Sequence, residues 1–371
     1  MKAFLLYILC LALALILLPA MLVENWWKWD IEAEARVESI EPVPQALEEK
    51  FILKIYLANA GESKEMELEE YVAGVVTAEM PASFNLEALK AQAVITRTYT
   101  LQKALSLGGE GCRNHPEADL CTDAACCQGW ENDRQALEKW PSAGATAYLE
   151  KIREAVGSTG GLVLTYGGNL IPAVYHSTCG GMTEDAENVW SGGGAFYLQG
   201  VECNYCRHSP HYRQEIVMDL ASFVAALKTE REAIPVVAEG NVPLMEVVQR
   251  SKSGRNLLLN IGKPGQKYRG TDVRNLLGLP STFFQWRTEG DKIIFSTRGY
   301  GHGVGMCQYG ADGMAGEGKD FIAILKHYYP GTEVEHFPLS GWQDIDSSAQ
   351  GPEAPGQAAV TTPDMANASD F

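Results

Sequence analysis

The chain has 371 residues, 46% of them hydrophobic and 21% charged, which is enough to bury a core without covalent staples. Its net charge of −17 excludes the basic surface on which nucleic-acid binding depends. The acidity otherwise speaks only to solubility.

From Ala3 to Val23 no residue is charged and leucine dominates, a stretch long enough to cross a bilayer as one helix. Trp26, Trp27 and Trp29 follow, where indoles settle at the headgroup level. Pro19 and Met21 interrupt any small-residue cleavage site, so residues 1–23 read as an uncleaved transmembrane anchor rather than a signal peptide. With Lys2 ahead of it, the expected location is the cell membrane, single-pass, with the C-terminal domain extracytoplasmic. Residues 24–50 are acidic and contain Pro42 and Pro44, the composition of a stalk. Residues 341–371 are rich in Pro, Ala and Ser and contain no Lys or Arg, which predicts a disordered tail.

Between stalk and tail, "FILKIYLAN" (51–59) reads as a strand. "LEEYVAGVVTAEM" (68–80) sets Leu68, Tyr71, Val72, Val75 and Val76 at helical spacing, and Pro81 cannot continue the helix. Glu79 therefore falls in a last turn. A second helix is predicted from Asn85, a residue suited to capping, with Leu86, Leu89, Ala93 and Thr100 facing inward. Three hairpin patterns follow: 162–176 around Gly167 and Gly168, 246–262, and 283–299 with Gly290-Asp291 at its turn. Further helices are expected at 219–228, 271–277 and 320–328. This mixed order predicts an α+β class, helices and antiparallel hairpins forming one domain over 51–340.

Nine cysteines are present, one of them, Cys10, inside the apolar span. "HPEADLCTDAACCQGW" gathers His115, Cys121, Cys126 and Cys127 in an insert, about 107–131, that is too poor in large apolar side chains to order itself by burial. Thiolates and imidazole are good zinc ligands, and four of them close a tetrahedron into a structural site. Disulfides are the alternative in an exported chain, although vicinal Cys126 and Cys127 bond only with strain and His115 has no role in that account. "VECNYCRHSPHY" offers Cys203 and Cys206 beside His208 and His211. A second metal site and a disulfide, between these two or to Cys112, both stay open.

"YHSTCGGMTEDAENVW" (175–190) places His176, Ser177 and Cys179 at a strand end, a nucleophile beside a base. Strand neighbours face opposite sides, so a polar loop with a packed cysteine is the plainer reading. "RGYGHGVGMCQYGADGMA" (298–315) carries glycine at 299, 301, 303 and 305, which lets backbone approach a ligand and presents His302. Val304 breaks any dinucleotide fingerprint there. Glu87, in a first helical turn, is explained by the helix dipole, whereas Glu79, before Met80-Pro81, borders a turn and is the stronger chemical candidate. Lys90 and Arg97 share one face of the second helix and suggest a polar site.

Three blocks, "LEEYVAGVVTAEMPASFNLEALKAQAVITRTYT", "VYHSTCGG" and "GYGHGVGMCQYGA", taken in that order, resemble the stage II sporulation protein D (SpoIID) family, which is related to the amidase-enhancer proteins of bacterial cell walls. The resemblance covers about residues 50–340. It implies one N-terminal membrane helix and a lytic transglycosylase that cleaves peptidoglycan glycan strands, already stripped of stem peptides, during sporulation engulfment. The implied partners are a SpoIIP-like amidase and a SpoIIM-like membrane protein. The family's catalytic glutamate falls on Glu79 and its motif lysine and arginine on Lys90 and Arg97, with Tyr175, Ser177 and His302 implied in substrate contact. Some members carry a structural zinc on two His and two Cys; here His115, Cys121 and Cys127 match, and Cys126 replaces the second histidine. Cys307 stands where the glycine-rich block usually has serine. One carboxyl group suffices for this chemistry, first as acid and then as base. Desolvation is expected to set its pKa, while Lys90 and Arg97 hold other acids, backbone carbonyls or the muramic lactyl carboxylate. The rival readings are a zinc amidase, for which a closed four-ligand site leaves no open position, and a non-catalytic wall-binding amidase enhancer.

Overall fold

Strand β1 (Ile52–Leu57) turns Leu53 and Ile55 inward and pairs antiparallel with β2 (Glu62–Glu67). These are the first elements of a computed structural model that describes residues 50–192, 194–227, 245–262 and 266–338. The anchor, almost all of the stalk, and the tail lie outside those residues. Among the described residues, no helix is long and apolar enough to cross a membrane.

β2 runs straight into α1 (Leu68–Glu79). Met80 leaves the helix at ψ 136°, because Pro81 disfavours a helical residue before it. Next comes α2 (Leu86–Lys103), buried on nearly every side, polar Gln92, Thr96, Thr98 and Thr100 included. Two of these groups bond within the helix: Thr98 Oγ1 donates to Val94 O at 2.7 Å, and Gln92 Nε2 to Thr96 Oγ1 at 3.3 Å.

The short β3 (Leu120–Cys121) pairs parallel with β1 and ties the cysteine-bearing insert to that sheet. After it come α3 (Asp133–Lys139), opened by a capping box between Asn132 and Gln135, and α4 (Ala145–Gly157). β4 (Leu162–Tyr166) and β5 (Asn169–Leu170) form the expected hairpin over Gly167 and Gly168, both at positive φ. β6 (Tyr175–His176) leaves that hairpin.

Residues 214–297 build a second core. β7 (Gln214–Asp219), α5 (Leu220–Leu227), β8 (Met245–Arg250), β9 (Asn256–Ile261), β10 (Lys267–Arg269), α6 (Gly270–Leu277), β11 (Phe284–Glu289) and β12 (Lys292–Thr297) form two antiparallel three-stranded sheets, β11-β12-β7 and β10-β9-β8, with their helices. Phe223, Leu259, Val273, Phe284 and Phe295 fill this core. The strand pattern fixes which faces are apolar but not which partner covers them, so one domain and two cores read alike in the sequence.

The chain then returns to the first core. β13 (Met306–Cys307) pairs parallel with β6, α7 (Gln308–Gly316) and α8 (Phe321–Tyr328) follow, and β14 (Glu333–His336) completes the sheet on β4. The architecture is α+β, with helices and mainly antiparallel sheets.

Arg97 locks the centre. Its guanidinium is fully buried, donates from Nε and Nη2 to the two carboxylate oxygens of Glu69 at 2.7 Å each, and from Nη1 to Leu162 O at 2.9 Å. One planar fork thereby joins α1, α2 and β4. Arg97→Lys keeps the charge but loses the fork. Denaturant unfolding is expected to show a loss of about 1.5–3 kcal/mol, the scale of charged hydrogen bonds. A change within about 0.5 kcal/mol, as at an ordinary surface site, would contradict this role.

Candidate active site

Glu79 ends α1 and is only 5% exposed. Gly129 N donates to its Oε1 at 2.6 Å, across 50 residues of sequence. Gly129 is a glycine for want of room: a Cβ there would sit 2.9 Å from the same oxygen. The main chain is held as well. Gln308 Nε2, at the start of α7, donates to Glu79 O at 3.0 Å and to Gln92 Oε1 at 3.3 Å, satisfying a carbonyl that the helix end leaves orphaned. Two distant segments thus fix one residue, the insert by its carboxylate and the glycine-rich block by its backbone.

Tyr175 stands beside this carboxyl. Gln128, the residue before Gly129, donates from Nε2 to Tyr175 Oη at 3.1 Å. Burial raises the Tyr175 phenol well above its usual range, and the nearby Glu79 carboxylate raises it further, so the group remains a neutral O–H. Behind it, His302 Nδ1 accepts from Val304 N at 3.1 Å, which places the proton on Nε2, donated to Tyr175 O at 2.8 Å. His176 Nδ1 donates to Val304 O at 3.0 Å. Burial is the main cause that keeps both rings neutral, lowering His302 to about 3 and His176 well below the ordinary histidine value. Gly305 allows the loop to lie this close: at φ 68°, a Cβ would meet Val174 O at 2.0 Å.

The other expected site residues have partners of their own. Lys90 pairs with Glu87 at 2.7 Å, one turn away on α2, and Arg97 is committed to Glu69 and Leu162. Ser177 is 2% exposed, with its hydroxyl 3.3 Å from Thr178 Oγ1, so it is packed inward. Gly129, Gln128, Gln308 and Gln92 were not singled out by sequence. The first two follow directly on the Cys126-Cys127 pair and Gln308 sits inside the glycine-rich block, but nothing in their chemistry marked them.

The insert's cysteines do converge, with a changed membership. Cys112, Cys121, Cys126 and Cys127 are all buried, and their sulfurs all lie within 4.8 Å of one another. His115 is not in this group: its ring stacks on Tyr56 at 3.4 Å between centroids. The turn that closes with Cys112 N donating to Ala118 O at 2.9 Å swings Cys112, rather than His115, toward the other three. Cys112–Cys126 and Cys126–Cys127 separations of 3.7 and 3.9 Å suit the edges of a tetrahedron with metal–sulfur bonds of about 2.3 Å. The Cys127 thiol, donating to its neighbours, is the largest cause that brings Cys112 down to about 6 and Cys126 to about 5. The set can hold a metal ion with no position left open.

Because His302 and His176 are neutral in the fold and titrate near pH 6.5 once unfolded, the unfolded chain binds protons that the native one refuses. Stability is fully present above about pH 6.5 and falls as the pH drops toward the folded values. Thermal unfolding between about pH 7 and 5, above the carboxylate range, is expected to show a falling midpoint, and His302→Gln should flatten that slope. A midpoint that does not change over this interval would contradict the assignment.

A family model described as "Stage II sporulation protein" matches residues 56–166, which carry α1, α2, the cysteine insert and β4. A second model, described as a domain of unknown function, matches residues 202–305 and takes in the second core. The chain is 34% identical over 310 residues to stage II sporulation protein D of Bacillus subtilis, covering 82% of this chain and 86% of that protein. It is also 34% identical over 291 residues to stage II sporulation protein D of Bacillus amyloliquefaciens, covering 78% and 80%. The amidase enhancer of Bacillus subtilis is 26% identical over 313 residues, 71% of this chain and 40% of that protein. With 34% identity over 82% of this chain and 86% of its Bacillus subtilis relative, the chain belongs to the stage II sporulation protein D family.

Proposed function

We propose that the protein is a sporulation lytic transglycosylase of the cell wall, with Glu79 as its acid and base. The observation that carries this is a buried carboxyl at a helix end, gripped at one oxygen by Gly129 and flanked by the neutral phenol of Tyr175. As an acid, Glu79 gives its proton to the glycosidic oxygen while the bond from that oxygen to C1 of muramic acid breaks. The resulting carboxylate then takes the proton of the sugar's own C6 hydroxyl, whose oxygen bonds to C1. A 1,6-anhydro end forms, Glu79 is again an acid, and no water is consumed. A single carboxyl completes the cycle, where a hydrolase would use two.

The substrate in this reading is peptidoglycan glycan freed of stem peptides, which calls for a SpoIIP-like amidase acting first and a SpoIIM-like membrane protein as scaffold. Residues 1–23 would hold the enzyme in the cell membrane with its catalytic part outside the cytoplasm. Zinc at Cys112, Cys121, Cys126 and Cys127 would be structural: it would hold Gln128 and Gly129 against Tyr175 and Glu79 and take no part in proton transfer. The similarity to an amidase enhancer supports a second reading, a wall-binding groove that stimulates an amidase without cutting glycan.

Glu79→Gln keeps size and the bond from Gly129 but has no acidic proton. Release of soluble fragments from denuded glycan is expected to fall by about 100- to 10,000-fold, with binding to the glycan retained. Wild-type binding with no fragment release would favour the enhancer reading, and a folded Glu79→Gln protein at near-normal rate would remove Glu79 from the chemistry. Gly129→Ala tests the grip on the carboxylate separately. Displacement of the acid by a fraction of an ångström or more should cost about 100-fold in rate, with little change in unfolding midpoint. An unaffected rate would show that Gly129 does not position the acid.

A further inference from the structure

Four more cysteines, from three separate stretches of sequence, meet in a second cluster. Cys179 follows β6, Cys203 and Cys206 lie in the loop before β7, and Cys307 ends β13. All four are buried and their sulfurs lie within 4.8 Å of one another. Cys179 and Cys206 are 3.4 Å apart, near the roughly 3.8 Å edge of a tetrahedron with 2.3 Å metal–sulfur bonds. His208 and His211, the neighbours expected to join Cys203 and Cys206, are engaged elsewhere, by Asp312 at 3.1 Å and Gln214 at 2.6 Å.

The surroundings offer backbone donors to two of the sulfurs. Cys307 Sγ accepts from the backbone N–H of Cys179 at 3.2 Å and of Gly310 at 3.3 Å, and Cys179 Sγ accepts from Gly181 N at 3.4 Å. Neutral thiols are weak acceptors, so three amides aimed at two sulfurs favour anionic ones. A cation is also at hand. Arg255 is buried beside the cluster, donating to Cys179 O at 2.9 Å and Met182 O at 3.1 Å. Glu184, a buried acid in its vicinity, accepts from the hydroxyls of Ser251 and Ser253 at 2.5 and 2.7 Å and faces Arg255 with one negative charge. A buried guanidinium is costly unless negative charge faces it, and a tetrathiolate with one divalent ion would add to the charge of Glu184.

We propose that Cys179, Cys203, Cys206 and Cys307 form a tetrathiolate site for one zinc ion, distinct from the cluster in the insert. Four protein ligands leave no open position, so the ion is structural. What it fastens is specific. Cys307 is followed at once by Gln308, whose amide holds Glu79 O, and the site ties β13 to the loop after β6, next to the segment that carries Tyr175 and His176. The insert's cysteines stand in the same relation to Gln128 and Gly129. Each cluster lies one or two residues before a group that grips the catalytic candidate, Gln308 after Cys307 and Gly129 after Cys127.

Metal analysis of the full chain purified without added zinc tests this. The expected content is about two zinc ions per chain, falling to about one in Cys179→Ser/Cys206→Ser and, independently, in Cys121→Ser/Cys127→Ser. Because either variant can fail to fold, the wild-type protein is also denatured with chelator and its cysteines alkylated and mapped. All four of Cys179, Cys203, Cys206 and Cys307 should be recovered as free thiols, and cobalt replacing zinc should give thiolate charge-transfer absorption at both sites. Disulfide-linked peptides among these four, an iron spectrum in place of zinc, or free thiols with only the insert's ion present would each overturn the proposal. None of these readouts depends on glycan cleavage, so the result stands whether or not Glu79 is the acid.

Discussion

The hydrogen bond from the Gly129 amide to the Glu79 carboxylate is the contact around which the first core is arranged. A glutamate at the end of a helix has three side-chain torsions to lose and no intrinsic reason to point one way. Here the backbone of a segment 50 residues later meets it, and that segment has little apolar surface of its own. The carboxylate's position is therefore only as good as whatever holds the insert. Four buried sulfurs and the parallel pairing of β3 with β1 do that work, while burial of large side chains does it for α1 and α2.

The same logic explains why so much polar material sits inside. Arg97, Gln92, Gln308, Gln128 and Thr100 are buried, and each makes at least one hydrogen bond that joins elements far apart in sequence. Apolar packing alone would tolerate small slides of α1 against its neighbours, whereas a network of directional bonds does not. On the proposed mechanism, in which one proton donor is held in register with a bulky polymer, rigidity of this kind serves the chemistry more than stability does.

Sequence made the helices legible because their stops and starts are local. Pro81 after Glu79 and the period of Leu68, Tyr71, Val72 and Val75 needed no tertiary information, and Gly167-Gly168 marked its hairpin. β2, α3 and α4 went unassigned: β2 is a polar edge strand defined by its pairing with β1, and α3 with α4 follows an insert whose composition drew attention to its cysteines. The choice of Cys112 over His115 depended on a turn that spacing cannot express. Cys179 and Cys307 are 128 residues apart, so only the pairing of β6 with β13 brings them together. Glu79 could be nominated from its place before Met80-Pro81, but its grip by Gly129 and Gln308 belongs to the fold alone.

The central claim is that one carboxyl suffices because the sugar supplies its own nucleophile. Digestion of denuded glycan in water labelled with a heavy oxygen isotope, followed by mass spectrometry of the fragments, tests it most directly. The account predicts fragments lighter than the hydrolysis products by one water, carrying an anhydro end and no label. Fragments that have gained a labelled oxygen at the cleaved sugar would make the protein a hydrolase and contradict the single-carboxyl mechanism.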